Sequence, residues 1–375
     1  MPKFLRFRVE NSDTRMRIIL RPSARLRHAS CDAHRPFGVD YRGPPQEVVR
    51  GETARSEAKR RRRRLSFPSA LILTPSGGNW KWSAGPSYVP ARQRLYGASP
   101  SALMAVSERL VPERGMPGDF IKFLGTAGAR FVMAKQLRYS AGTLIALNDR
   151  RVMLDPGPGT LLRCAKSRPP IDLLGLDGVI LTHAHIDHSG DVNAVLDAMT
   201  SGGLSRRGCL FAPRECLEGP DAVVLRYLRA GLEEVVVLKP QTEYALGALH
   251  FATSVRHRHP VETYGLKFRH GGLTIAFVVD TEYFDGLAEA YADADIMVLN
   301  VVRRQPHESG TVMHLTLDQA RAVIAEVRPR KAVLTHFGMT MLHGRPRELA
   351  EGISKELGIE VIAASDGMTL DVEEG

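Results

Sequence analysis

His183, His185, Asp187 and His188 place four potential metal ligands within six consecutive positions of the segment Leu181-Thr182-His183-Ala184-His185-Ile186-Asp187-His188-Ser189-Gly190-Asp191. Neutral imidazole nitrogens and carboxylate oxygens together suit zinc, iron or manganese, and no cysteine lies nearby to supply a thiolate. The residues before the cluster, Leu174 to Leu181, read as a short buried strand. Those after it, Asp191 to Met199, carry apolar side chains at helical spacing. The cluster therefore sits on a strand-to-helix turn at a sheet edge, where side chains converge on one point. From that turn His183 and His185 can close on one ion, while Asp187 and His188 point the other way and can serve a second. A lone His-x-His means little, because most histidines are surface or hydrogen-bonded core residues. Four donors on one such turn are far more specific.

His183-x-His185-x-Asp187-His188 resembles the signature of the metallo-β-lactamase superfamily of metal-dependent hydrolases. The resemblance covers roughly residues 119–372 and is nearest to the ribonuclease Z-like phosphodiesterase branch. Carried over residue by residue, it implies two divalent ions, zinc by default, with manganese or iron as alternatives. One would take His183, His185 and His259, and the other Asp187, His188 and His336. Asp280 would bridge them, with a water or hydroxide as the second bridge. Two such ions roughly 3.5–4 Å apart lower the pKa of a shared water and clamp the attacking and leaving oxygens. Asp187 could accept the proton as attack proceeds. The third motif, within Arg256-His257-Arg258-His259-Pro260-Val261-Glu262-Thr263-Tyr264-Gly265, holds two histidines that would share a strand face. Register against the Tyr-Gly step favours His259 over His257. Asp155, in Asp-Pro-Gly-Pro-Gly, is either a plain turn former or, as in the family, an acid behind the site that orients a ligand.

The same resemblance suggests a substrate. Phosphodiester hydrolysis needs charge stabilisation at the phosphoryl oxygens and a proton for the leaving alkoxide. His314 resembles the histidine that supplies that proton in the phosphodiesterase branch; a buried histidine before a helix cap is the plainer alternative. Lys135 and Arg138, after the Gly125–Gly128 turn, could reach a phosphate or simply be solvated. Two departures separate this chain from ribonuclease Z. The strand that should bring an acidic partner for the histidine ends in Asn300, and only 20 residues, 260 to 279, lie between His259 and Asp280. That is too few for a long tRNA-gripping arm. The expected activity is therefore that of a phosphodiesterase acting on a small phosphodiester or short oligonucleotide. The alternatives are a ribonuclease Z-type RNA endonuclease, a thioester or lactam hydrolase of the same fold, and a non-catalytic binding protein.

Composition bounds these readings. A length of 375 residues with 43% hydrophobic content allows one large domain or two small ones. Cys31, Cys164, Cys209 and Cys216 form no Cys-x-x-Cys pair. That pattern, with no signal-peptide hydrophobic region and no apolar run near the roughly 20 residues of a membrane helix, points to a cytoplasmic protein without membrane contact. The net charge of +10 is unevenly spread: residues 1–115 hold 23 Lys and Arg against 9 Asp and Glu, the remainder 28 against 32. A basic-protein argument for nucleic-acid binding therefore does not reach the catalytic part.

Residues 1–115 read as a basic, Pro- and Arg-rich stretch rather than a domain. Its strongest local signals are a strand at Ser66–Thr74 and a short helix at Ser101–Leu110. The Lys59–Arg64 block could touch nucleic acid weakly and electrostatically, or belong to a targeting peptide. The favoured reading is a disordered extension created by a start codon placed too far upstream, with the hydrolase domain at 116–375. Beyond it come a strand at Phe120–Leu124 and a hairpin, Gly142–Leu147 with Arg151–Leu154, across Asn148-Asp149-Arg150. Strands follow at Cys209–Pro213, Val235–Leu238, His250–Val255, Leu273–Val279 and Asp295–Asn300, then at Lys331–Thr335, Val361–Ala364 and Met368–Val372. Helices are expected at Asp191–Thr200, Asp221–Leu232, Thr316–Val327 and Glu348–Leu357. Two similar halves of this kind suit an α/β fold: a four-layer αββα sandwich, two mixed sheets face to face with helices outside.

Overall fold

All six residues of the strand Leu273–Val278 are buried. A strand reaches that state only when both faces of its sheet are covered. In the computed structural model of the chain, which describes residues 73–76, 79–82, 118–140, 142–308 and 312–372, both faces are indeed covered. Numbered along the chain, β1 (Leu73–Ser76) and β2 (Asn79–Trp82) come first. Next are β3 (Phe120–Phe123), β4 (Thr143–Leu147), β5 (Arg150–Leu154), β6 (Gly178–Ile180), β7 (Cys209–Ala212) and β8 (Glu234–Val237). They are followed by β9 (Glu243–Leu246), β10 (Leu249–Arg256), β11 (Tyr264–His270), β12 (Leu273–Val278) and β13 (Ile296–Asn300). The last three are β14 (Lys331–Thr335), β15 (Glu360–Ala363) and β16 (Thr369–Asp371).

Two seven-stranded sheets result, ordered β16-β3-β4-β5-β6-β7-β8 and β15-β14-β13-β12-β11-β10-β9. In each, antiparallel neighbours give way to parallel ones, at β5–β6 in the first and β12–β13 in the second. Between the sheets lies an apolar layer drawn from both, including Ile121, Ile145, Phe251, Phe268, Phe277 and Val298. The outer face of the first sheet is covered by the helix Val192–Met199, through Val192, Val195, Leu196 and Met199. The second is covered by the helices Leu317–Val327 and Pro346–Leu357. This is the αββα sandwich expected from the sequence. Phe268 is fully buried with ring centroids 5.5 Å from Phe251 and 5.7 Å from Phe277. Phe268→Ala is expected to cost about 3–5 kcal/mol in a denaturant titration, and a loss under 1 kcal/mol would mean this layer is not the core.

Local signals held where the chemistry was local. Asn148 and Asp149 take φ of 51° and 59° at the β4–β5 hairpin, the conformation that a two-residue turn demands and Asn and Asp tolerate. Thr316 and Gln319 form the reciprocal capping box at the helix Leu317–Val327. Elsewhere the structure corrects the sequence. Residues 221–225 are not helical, and Arg226–Gly231 is a 3-10 helix rather than part of a longer α-helix. The strand expected over Leu174–Leu181 is confined to β6, preceded by a 3-10 turn at Leu173–Gly175 that the Asp172 side chain caps. Short helices at Ala129–Ala134, Thr160–Lys166 and Met339–His343 lacked enough turns to show a period.

The chain divides into two units, Met1–Pro86 and Ser87–Gly375. In the first, β1 and β2 pair antiparallel; only the last two residues of the strand expected at Ser66–Thr74 are described, both in β1. The Lys59–Arg64 run and the Ser101–Leu110 helix lie outside the described residues. Among those described, no helix is long and apolar enough to cross a membrane.

Candidate metal centre

Parallel neighbours β12, β13 and β14 run in register, so their C-terminal ends share one edge of the second sheet. Each brings a polar residue there: Asp280 two positions past β12, Asn300 at the end of β13, and His336 directly after β14. β6 of the facing sheet leads into Thr182 and His183, and Tyr264 N–H donates to Thr182 O across the sandwich. Asp280, Asn300 and His336 are thus brought together by strand direction, the usual origin of sites at the carboxyl ends of parallel strands.

The backbone is strained at this edge. His336, Asp155 and Ala129 have φ of 60°, 47° and 64°, a left-handed region that costs an L-residue roughly 1–2 kcal/mol. Gly128 lies against His336, where a Cβ would come within 2.1 Å of the His336 carbonyl oxygen. Only glycine allows the Gly125–Gly128 segment to close over the site.

Asp280, 2% exposed, is the centre of the cluster. Its Oδ2 lies 3.3 Å from His188 Nε2, 3.7 Å from His183 Nε2 and 4.0 Å from His259 Nε2. Its Oδ1 lies 3.3 Å from His336 Nε2. His185 Nδ1 and His259 Nε2 are 2.9 Å apart, His188 Nε2 and His336 Nε2 3.4 Å, and Asp187 Oδ2 and His336 Nε2 3.7 Å. Two of the resulting groups, His183–His185–His259–Asp280 and Asp187–His188–His336, each offer ligand atoms within 4.8 Å of one another.

A cation fits this donor set. His183 Nε2 is fully buried and has no hydrogen-bond partner among the described residues, a costly state for a nitrogen unless something else takes its lone pair. Burial, reinforced by His188, lowers the proton affinity of His183 well below that of a free imidazole, and burial takes His259 to about 4. Both are held as the neutral form that donates to a metal. Burial opposes the Asp280 charge, but His336, His314 and His188 outweigh it and hold the carboxyl well below its usual range. For His188 burial is overcome by Asp280 and Asp155, and its proton affinity rises well above normal.

Behind the cluster, Asp155 accepts hydrogen bonds from Thr182 N (2.7 Å), Thr182 Oγ1 (2.6 Å) and His188 Nδ1 (2.9 Å). It therefore orients His188 and leaves Nε2 facing inward. His259 is oriented the same way, with Nδ1 donating to Met313 O at 3.1 Å. Thr182, whose hydroxyl also lies 3.0 Å from His183 Nδ1, was missed in the sequence although it adjoins the motif. Asn300 donates from Nδ2 to Asp280 Oδ1 at 2.9 Å.

The two candidate histidines of the third motif separate cleanly, and not for the reason the sequence suggested. They do not share a strand face, because β10 ends at Arg256. His257 turns away and hydrogen-bonds the Asp280 carbonyl (3.3 Å) and the Tyr291 hydroxyl (2.7 Å), whereas His259 turns into the cluster. His259→Ala is expected to lower metal affinity by more than about 100-fold, beyond the usual cost of losing an outer-shell partner. His257→Ala should instead lower stability by about 1–3 kcal/mol through loss of its buried hydrogen bonds to the Asp280 carbonyl and the Tyr291 hydroxyl. Metal titration and melting of both variants check this, and a reversed pattern would reassign the ligand.

His314 faces the same carboxylate, with Nδ1 buried, without a hydrogen-bond partner among the described residues and 3.7 Å from Asp280 Oδ2. Arg138 donates from Nη1 to Thr126 Oγ1 (3.2 Å), and Thr126 lines a small cavity with Asp187, His188, Asn300 and His336. Lys135 is exposed after the helix Ala129–Ala134 and does not line that cavity. Asp366, unnoticed in the sequence, ties this side of the site down by accepting from Thr126 N, Thr126 Oγ1 and Tyr139 N at 2.9, 2.7 and 3.0 Å. Its only signal was a Ser-Asp-Gly turn.

Comparison with known proteins agrees with this fold. The family described as a beta-lactamase superfamily domain matches residues 150–337. An uncharacterized protein of Methanocaldococcus jannaschii is 30% identical over 263 residues, 68% of this chain and 96% of that one. A ribonuclease Z of Kineococcus radiotolerans is 26% identical over 264 residues, covering 57% of this chain and 82% of its own. Among solved structures, the metallo-beta-lactamase fold protein YhfI of Bacillus subtilis superposes with a TM-score of 0.57 at 18% identity, over 68% of this chain and all of that one.

Proposed function

The chain belongs to the metallo-β-lactamase superfamily and is a metal-dependent hydrolase, and from that premise we propose that it is a phosphodiesterase acting on a small phosphodiester or short nucleic acid. His183, His185 and His259 would hold one divalent ion, zinc by preference, and Asp187, His188 and His336 a second, with Asp280 shared. When bound, the ions supply a water of lowered pKa and positive charge beside the phosphoryl oxygens.

The chain's own residues divide the remaining work. Asp155 and Met313 O orient His188 and His259 through their outer nitrogens. Asp187, its side chain 14% exposed, lines the small cavity and can take the proton lost by the attacking water. His314, its side chain 18% exposed, can pass a proton to the leaving oxygen. Arg138, steadied against Thr126 of the adjoining cavity, would be the cation to meet a phosphate there.

The observation that carries this reading is His314 itself. It is an imidazole facing the cluster, outside both ligand groups, with a buried nitrogen that has no hydrogen-bond partner among the described residues. A leaving alkoxide requires such an acid. The named ribonuclease Z relative favours an RNA endonuclease as the second reading. Against it, β11 and β12 are joined by only Gly271 and Gly272, so no RNA-gripping arm projects there. Metal-loaded protein should turn over bis-p-nitrophenyl phosphate. Turnover restricted to a thioester and nitrocefin would overturn the phosphodiesterase assignment.

A further inference from the structure

Two segments leave the site side by side. After Asn300 the chain passes through buried Val301 and Val302 into the loop 303–308, exposed from Arg304 onward, and after His336 it enters the helix Met339–His343. They are joined next to the cluster. Gly338 N–H donates to Val302 O at 3.1 Å, Arg304 N–H donates to Thr340 Oγ1 at 3.1 Å, and a Cβ on Gly338 would lie 2.4 Å from Val302 O. Arg303 O accepts from Leu317 N at 2.8 Å, which fixes the loop to the helix start just beyond His314. Between them lies a cleft of about 560 Å³ lined by Arg303, Arg304, His307, Glu308, Thr340 and His343.

That lining is unusual for its surroundings. Residues 116–375 are net acidic, with 28 Lys and Arg against 32 Asp and Glu. Among the described residues its lining nonetheless holds two permanent cations and two imidazoles against a single carboxylate. Among the described residues neither arginine has a carboxylate partner, and Arg303 is steadied by its Nε donating to Gln305 O at 3.1 Å. Unpaired guanidinium groups in a concave wall concentrate anions, and their fork geometry matches phosphate oxygens. The volume falls within the range of about 300–1,000 Å³ typical of small-molecule sites.

We propose that this cleft is an anion-binding subsite that receives a second phosphate of the substrate, so that the natural diester carries a phosphate group besides the scissile one. The inference rests on the phosphodiesterase reading and narrows it to phosphorylated nucleotide-like diesters. Thr340 and the arginine pair hold the distal phosphate, while the cluster receives the scissile one.

The test compares thymidine 5′-(p-nitrophenyl phosphate) with its 3′-phosphorylated counterpart on the metal-loaded enzyme. The extra phosphate should lower KM about tenfold, the scale of one charge-assisted hydrogen bond, and the advantage should shrink with added salt. Arg304→Ala and Arg303→Ala should abolish the advantage and leave kcat and the KM of the simpler ester unchanged, while Arg304→Lys keeps part of it. Equal KM for both esters in the unaltered enzyme, or equal losses for both in the variants, overturns the subsite. If neither ester is cleaved, the phosphodiesterase reading fails, and calorimetry with adenosine 3′,5′-bisphosphate still decides the cleft: weaker binding in Arg304→Ala supports it, unchanged binding overturns it.

Discussion

Asp280→Ala is expected to strip the protein of bound metal and to lower diester turnover by at least about 10³-fold, since losing a mere outer-shell partner already costs about 10–100-fold. Among the described residues the side chain is the one carboxylate at the centre of five imidazoles, those of His183, His188, His259, His314 and His336, at 3.3–4.0 Å. Its two oxygens face different partners: Oδ1 faces His336, and Oδ2 the others. Removing it takes a ligand from both proposed ions and leaves cations to be held largely by neutral nitrogens. Asp280→Asn keeps the shape and removes the charge, so it separates electrostatics from packing. Elemental analysis after dialysis, with circular dichroism to verify folding, gives the metal content. A folded Asp280→Ala protein that retains two equivalents of metal and near-normal turnover would refute the shared-ligand arrangement.

The second large effect is expected at His314. His314→Ala should lower kcat by about 10²–10⁴-fold, the usual worth of a general acid, with metal content unchanged. The size of the loss should depend on the leaving group. A p-nitrophenolate leaves readily without a proton, whereas an alkoxide does not. The deficit should therefore be small for bis-p-nitrophenyl phosphate and grow as the leaving-group pKa rises. A uniform loss across esters, or loss of metal, would make His314 a structural residue.

Asn300 shows how a substitution visible in the sequence acquires meaning only in three dimensions. Where the ribonuclease Z-like pattern calls for an acid, this chain donates a hydrogen bond to Asp280 Oδ1 at 2.9 Å. An acid at 300 would place two carboxylates at that distance, while the amide supplies a donor that favours the ionised Asp280.

What the sequence determined by itself is the chemistry and the order of its parts. The His183–His188 motif, the acid after β12 and the histidine after β14 were legible because each adjoins a strongly patterned strand, and because parallel strands must deliver their ends to one edge. The sandwich was legible for the same reason, since fully apolar strands need cover on both faces. The tertiary structure alone decided what depends on where irregular backbone turns. β10 ends one residue before His257, and so sends His257 to Tyr291 and His259 to the cluster. The 303–308 loop and the helix Met339–His343 meet across Val302 and Gly338 to form a basic cleft. Neither outcome has a periodicity to announce it, because both arise from contacts between segments far apart in the chain, and pattern along a sequence records only what neighbours impose on each other.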